Sequence, residues 1–328
     1  MHQEAKEEFS IVIPVIEGSD DIEALLKCLE NQTHIPSEII IVESKTKDSD
    51  FSKEIIDRFT HLPIKYILSS RMMPGEARNV GIKSASKKWV AFLDIRTFPP
   101  ENWLESINKI IKTSDFKFIK ALIKCRSNSR FQNLLKYSSY GNNIFEGLPG
   151  SAIRRNSLSQ KYEFIGDVRA GEDIEWINKI ENDFSFVVNN QSIIIYEGLP
   201  KTLITAAKKW YLYAFANSKL KFARLQEITY FFVLIFLLIF AYNWNFFATG
   251  GQWNQSPYFI PHLNKILWII LFLIYFFFRA FYLPKNRGVS KKELLPLNWI
   301  GVGFIGMLID LIKAPGRLLG VFYIRKKK

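Results

Sequence analysis

Short, unbroken apolar runs alternate with stretches of helical spacing from residue 9 to about residue 200. FSIVIPV (9–15) is continuous and rich in β-branched residues, the pattern of a strand buried on both faces. Within 20–31, Ile22, Leu25, Leu26 and Leu29 share one helical face. EIIIVE (38–43) predicts a second buried strand. Phe51, Ile55, Ile56 and Phe59 predict a helix over 51–60, and IKYIL (64–68) a third strand. A helix from Gly75 to about Ser86 and a fourth strand, WVAFLD (89–94), follow. Beyond them the pattern is less regular: a helix over 101–113 after Pro99-Pro100, a strand through 118–124, and a helix from Glu172 to about Asn182. Alternating strands and helices with short connections predict an α/β fold with a mainly parallel, doubly wound sheet. Such sheets bind ligands beyond the carboxyl ends of their strands. That gathers Pro14 to Glu17, Glu43 to Ser49 and Asp94 to Thr97 around one crevice.

After residue 200 the pattern changes. Residues 203–227 are basic and aromatic, with Lys208, Lys209, Trp210, Tyr211, Phe215, Lys219, Lys221 and Arg224, and are expected to form a helix at a membrane interface. Apolar segments at about 228–248, which is uncharged, and 264–283, whose uncharged run 266–278 is bounded by Lys265 and Arg279, are long enough to span a bilayer, within a membrane region running from 228 to 328. The loop between them carries no charge. The loop after the second span carries Lys285, Arg287, Lys291 and Lys292, and the chain ends in Arg325 and Lys326 to Lys328. Basic residues remain on the cytoplasmic side, so a multi-pass protein of the cell's inner membrane is expected, with residues 1–202 and both termini cytoplasmic. In 297–324 the apolar run is cut by Asp310, Lys313, Pro315 and Arg317, which predicts an interfacial or re-entrant segment.

Composition sharpens this division. The 328 residues include 28 Phe crowded toward the C-terminal third, and the formal net charge is +13. With no zinc-finger spacing, aromatic RNA-binding signature or arginine-rich arm, the charge points to anionic membrane lipids or a nucleotide diphosphate, not to nucleic acid. Cys28 and Cys125 have no CxxC partner or nearby His, so two free thiols are expected. MHQEAKEEFS lacks an apolar core, so no cleavable signal is expected there.

The strings FSIVIPV, LLKCLENQT and EIIIVE resemble the opening of the inverting glycosyltransferases of family 2. PGEARNVGIKSA with WVAFLD resembles that family's central block, and PGSAIRRNSL with GEDIEW its acceptor-side block. The resemblance covers about residues 9 to 200 in the family's order. It implies a GT-A fold, a nucleotide-diphosphate sugar donor and transfer with inversion. It also implies that Pro14, Glu17 and Glu43 hold the nucleotide base and that Arg78 and Asn79 fix the nucleoside. Independently, PGEARN reads as a turn opening a helix, where free N–H groups and the dipole suit an anion. Glu43 alone reads as a solvated strand-end carboxylate.

The family's strand-end Asp-x-Asp, which holds a divalent metal against the diphosphate, corresponds here to Asp94-Ile95-Arg96. Three readings stay open. Asp94 holds Mg²⁺ or Mn²⁺ alone with water and phosphate, Arg96 meets the phosphates in the metal's place, or the site is degenerate. Glu172-Asp173 resembles the acceptor-side acidic pair, with the catalytic base at Asp173. The plain alternative is two helix-start acids favoured by the dipole. Lys208, Lys209 and Trp210 match the basic-aromatic motif of processive relatives poorly. The expectation is a membrane-bound transferase acting on a lipid-linked or membrane-adjacent glycan in polysaccharide or glycolipid synthesis. The alternatives are a polyprenyl-phosphate glycosyltransferase, whose acceptor is already ionised, a processive synthase, and a non-catalytic membrane scaffold of the same fold.

Overall fold

A computed structural model describes residues 7–16, 21–44, 51–218, 220 and 263–325. Glu17, residues 45–50, the end of the expected interface helix (219 and 221–227) and the first expected span, 228–248, lie outside the described residues.

The strands are β1 (Phe9–Ile16), β2 (Glu38–Ser44), β3 (Ile64–Ser69), β4 (Trp89–Phe92), β5 (Thr97–Phe98), β6 (Phe118–Cys125), β7 (Phe145–Arg154) and β8 (Phe186–Tyr196). They form one sheet in the order β3-β2-β1-β4-β7-β6-β8-β5. The first four are mutually parallel, with Val12 opposite both Ile40 and Phe92. β7 then runs antiparallel to β4 and to β6, and β5 antiparallel to β8. The expected parallel sheet is therefore correct for its N-terminal half, and the whole is mixed.

Helices cover both faces, which explains why β1 and β2 are apolar without alternation. Ile11, Ile13, Val15, Ile39 and Ile41 join one core with Ile22, Leu25, Leu26 and Leu29 of α1 (Asp21–Glu30). Val12, Ile40, Val42 and Phe92 join the opposite core. There they meet Ala77 of α3 (Pro74–Ser84) and Trp176, Ile177 and Ile180 of α6 (Glu172–Asp183). α2 (Phe51–Ile56) and α4 (Trp103–Thr113) add to the first core through Ile55, Ile56, Trp103, Leu104 and Ile107. Close approach of α3 to the sheet requires Gly81, where a Cβ would lie 2.4 Å from Val12 Cγ1.

Gly150 is the tightest point of β7. Its φ is +91°, and a Cβ there would stand 2.3 Å from Ile194 Cγ1 while its carbonyl accepts from Trp103 Nε1 at 2.8 Å. Gly150→Ala is expected to destabilise the domain by about 1–3 kcal/mol, combining backbone strain with overpacking. Thermal denaturation of the variant beside the native chain measures it.

The chain divides into two compact units: residues 1–128 with 143–199, and residues 129–142 with 200–328. The expected first domain ran unbroken to residue 202, but α5 (Arg130–Ser139) makes its contacts within the second unit. Ser129 caps it by accepting from Gln132 N–H at 3.2 Å. A Cβ on Gly301 would touch Leu134 at 2.8 Å, and Arg287 Nη1 donates to the Ser138 carbonyl at 2.6 Å. Glu293 accepts from Tyr137 Oη and Asn142 Nδ2, at 3.1 and 3.0 Å.

The second unit also contains α7 (Leu203–Asn217), capped by Thr202, α8 (Leu263–Phe277) with a π-helical turn over Phe278–Tyr282, and α9 (Asn298–Arg325). The helical segments Ile266–Asn286 and Asn298–Gly320 are long and apolar enough to cross a membrane. The segment expected to be interfacial or re-entrant, 297–324, falls almost wholly within α9, which continues as one helix through Pro315. Close packing supports it there, since a Cβ on Gly316 would meet the Tyr211 carbonyl at 2.6 Å. Asp310 within it pairs with Arg279 at 3.0 Å and accepts from Tyr275 Oη at 2.6 Å.

Candidate active site

The parallel half of the sheet sends β1, β2 and β4 toward the same edge, and the start of α3 arrives there from β3. Ser44 sets the approach: its Oγ accepts from Met72 N–H at 2.6 Å and donates to the Met72 carbonyl at 3.1 Å. Glu76 then accepts from Met73 N–H at 2.7 Å, closing the first turn of α3. Arg78, one turn in, is thereby held under the end of β4.

Arg78 is the centre of the site and is only 4% exposed. Its Nη2 donates to Asp94 Oδ1 at 2.7 Å and its Nη1 to Glu172 Oε1 at 2.7 Å. Asp94 is fixed by the turn after β4, where its N–H donates to Thr97 Oγ1 at 2.9 Å and Thr97 Oγ1 donates back to its carbonyl. Glu172 and Asp173 open α6 after Gly171, whose φ of +85° turns the chain into the helix. The guanidinium also lies over Phe164, 5.5 Å from the ring centroid, and Phe164 stacks on Trp176 at 4.7 Å. A flat cation bridging two carboxylates and covering an aromatic face suits Arg and not Lys.

This arrangement gathers three acids from two distant parts of the chain, and their charges oppose one another. Burial favours a neutral Arg78, but Asp94, Glu172 and Asp173 outweigh it and hold the guanidinium above its ordinary pKa. Burial, reinforced by Asp173, raises the Glu172 carboxyl against the pull of Arg78. Burial and the Asp94 charge likewise raise Asp173. Glu172 is 4% exposed and bonded to Arg78, whereas the Asp94 side chain keeps 38% of its surface open. Of the two carboxylates bonded to Arg78, Asp94 is thus the more open and Glu172 the enclosed one.

The other expected site residues are placed as follows. Pro14 is partly buried in β1, paired with Val42. Glu43 is not solvated: it is 3% exposed and accepts from Tyr66 Oη at 2.6 Å, because β3 continues beside β2 to its end. Asn79 is engaged structurally, donating to the Phe164 carbonyl at 2.8 Å and accepting from its N–H at 2.8 Å. Arg96 turns to α1, with Nε 2.7 Å from Asp21 Oδ2. Ser44 and Thr97 lie in segments expected to line the crevice but carried no expected role of their own, and Phe164 and Trp176 were not anticipated at the site. Their only signal in the sequence is proximity to expected elements.

Among the described residues no three of His, Cys, Asp and Glu are arranged to share a metal ion. The chemistry at Asp94 suits a hard cation in the sparing manner of Mg²⁺, with one protein carboxylate and the rest supplied by phosphates and water.

Fold and acidic cluster together define a GT-A-like glycosyltransferase domain followed by apolar C-terminal helices. The chain belongs to glycosyl transferase family 2, whose family model matches residues 10–171. It is 37% identical over 89 residues to the amylovoran biosynthesis glycosyltransferase AmsB of Erwinia amylovora, covering 26% of this chain and 30% of that protein. It is 34% identical over 184 residues to the glycosyltransferase AglE of Haloferax volcanii, covering 52% and 60%. The chain thus spans less than two thirds of the length of these relatives. Among solved structures, the mannosyltransferase PcManGT from Pyrobaculum calidifontis, in complex with GDP-Man and Mn²⁺, has the same fold at a TM-score of 0.53. It is 14% identical, over 96% of this chain and 88% of that one.

Proposed function

We propose that this chain moves a sugar, with inversion, from a nucleotide-diphosphate sugar to a hydroxyl of a lipid-linked or membrane-adjacent glycan, in polysaccharide or glycolipid synthesis. The observation that carries the proposal is the convergence of Asp94 and Asp173 on Arg78, within a domain of glycosyl transferase family 2. The amylovoran relative supports the glycan class, and the GDP-Man and Mn²⁺ of the mannosyltransferase support the donor class and a divalent ion.

Asp173 takes the proton of the acceptor hydroxyl as its oxygen attacks the anomeric carbon. The new carbon–oxygen bond forms on one face while the bond to the diphosphate breaks on the other, and the electron pair leaves with the phosphate. The raised Asp173 carboxyl makes it a stronger base than a free aspartate. That favours a hydroxyl acceptor over a polyprenyl phosphate, which needs no base. Arg78 offsets the repulsion among the acids and keeps Asp94 at the strand end. Asp94 would hold Mg²⁺ or Mn²⁺, whose charge stabilises the departing diphosphate. Pro14, Glu17 and Glu43 are assigned to the nucleotide side, with Arg78 and Asn79 holding the wall behind it. Residues 203–227 are assigned to the membrane interface among anionic lipids, with the catalytic domain and both termini in the cytoplasm.

Sugar release from donor by the full chain in membranes, with increasing Mn²⁺, tests the proposal. Asp94→Asn is expected to lower turnover about 10²-fold, the order found when one transition-state electrostatic contact is removed, and to blunt the Mn²⁺ response. Activity that survives chelation and disappears in Arg96→Gln would move the phosphate contact from metal to Arg96. A native chain that turns over no nucleotide sugar leaves the scaffold alternative.

A further inference from the structure

The Asn79 amide is turned onto a single residue far along the chain. Its Nδ2 donates to the Phe164 carbonyl and its Oδ1 accepts from the Phe164 N–H, both at 2.8 Å. A side-chain amide that meets both polar groups of one residue grips its backbone as a neighbouring strand would. Two glycines let the gripped segment lie against the first turn of α3. A Cβ on Gly75 would stand 2.3 Å from the Ile165 carbonyl oxygen, and one on Gly166 would stand 2.8 Å from Glu76 Cγ.

Other elements hold the Phe164 ring. It stacks on Trp176 of α6 at 4.7 Å, with the planes 7° apart, and meets Phe92 of β4 edge to face at 5.8 Å. Trp176 is itself anchored, since its Nε1 donates to the Tyr162 carbonyl at 2.8 Å. The Arg78 guanidinium lies over the same ring, 5.5 Å from its centroid. Consecutive residues of α3 therefore touch one phenylalanine, Asn79 on its backbone and Arg78 on its ring. The contacts close a loop that runs through α3, the segment before α6 and the cation bridging Asp94 and Glu172. A close-packed interior transmits displacement, so a shift of Phe164 becomes a shift of that cation.

We propose that Asn79 is a positioning residue for sugar transfer. By fixing Phe164 it holds Arg78 between Asp94 and Glu172, and so sets the spacing of the donor-side and acceptor-side acids. Direct contact with the nucleoside, the role implied by the family resemblance, is not its part. This role rests on the proposed transfer reaction, in which Asp94 and Asp173 serve opposite sides of one breaking and one forming bond.

The test uses the full chain in nanodiscs. kcat and donor KM are measured for the UDP- or GDP-sugar that the native chain turns over, and binding of UDP and GDP alone is measured by calorimetry. Asn79→Ala is expected to lower kcat about tenfold or more, within the roughly 10²-fold that a misplacement of about 1 Å costs. Donor KM and the nucleotide Kd are expected to change less than about twofold, the pattern of a loss confined to the transition state. Phe164→Leu keeps the backbone grip and removes the ring, so the same split is expected. In the double variant kcat should fall no further than in the weaker single one, because residues acting along one path do not add.

A donor KM or nucleotide Kd raised in Asn79→Ala as far as kcat is lowered assigns Asn79 to the nucleoside and overturns the proposal. Native kcat in that variant overturns it too, as do losses that multiply in the double variant. If Asn79→Ala does not fold, Phe164→Leu decides, and native kcat or a raised Kd there is equally fatal. A native chain that binds neither nucleotide and turns over no sugar refutes the transfer reading itself, whereas every other adverse result leaves that reading standing.

Discussion

Asp173→Asn is expected to lower kcat by about 10²–10⁴-fold, the range supplied by a positioned general base, while leaving the protein folded. The two effects are linked through the same carboxyl. Burial and Asp94 raise its pKa in the folded state, so its ionised form is less favourable there than in the unfolded chain. Its contribution to stability is therefore full below the unfolded aspartate range and is lost as pH rises through the folded value. At neutral pH the neutral asparagine removes an unfavourable charge, so the melting temperature should stay level or rise. Native kcat/KM should fall on the acid side with a limb above the ordinary aspartate range, and that limb should vanish in the variant. A variant that melts early and keeps the limb would mark Asp173 as structural.

Arg78→Gln is expected to have the largest effect on stability, about 3–5 kcal/mol, the loss found when one member of a buried charge pair is removed. Most of it arises at Glu172, which is 4% exposed and would keep its charge without a partner. The share from Asp94 is smaller, because water screens a side chain that is 38% exposed. Without the cation, the Glu172 and Asp173 carboxyls rise further above their unfolded values. The gap from the native chain should then be widest at neutral pH and narrow toward about pH 4, where carboxyls accept protons. Melting curves across that range measure it. Arg78→Lys should recover part of the stability but less of the activity, since an ammonium does not bridge Asp94 and Glu172 as the planar fork does.

Much of the N-terminal half is legible in the sequence because its physics is local. β1 and β2 are buried on both faces and read as unbroken apolar runs, and α1 shows its buried stripe directly. The second half obscures itself. β7, FEGLPGSAIR, contains two glycines and a proline that read as turns, and no local pattern says that it enters antiparallel to β4. α5, RFQNLLKYSS, is too polar to announce a buried face, because its partners lie about 150 residues further along. The site shows the same limit. Asp94, Arg78 and Glu172 each stand out at an element's end, but their meeting depends on sheet order. Arg96 drew notice for replacing an acid, and only the structure shows it paired with Asp21. The burial of Glu43 depends on how far β3 runs beside it, which composition does not encode.

The excursion of residues 129–142 into the second unit changes what a cut in the chain would do. Removing everything after Leu199 does not release the catalytic unit alone, because α5 would remain attached while Gly301, Arg287 and Glu293, its partners, were gone. Leu134 and Tyr137 would then face water on a fragment otherwise able to fold. A soluble catalytic fragment therefore calls for a short linker in place of 129–142, joining Asn128 to Asn143, as well as a stop near residue 199. A nick between Leu199 and Pro200 in the intact protein would likewise leave two pieces that still copurify, held together by one helix contributed from the middle of the first.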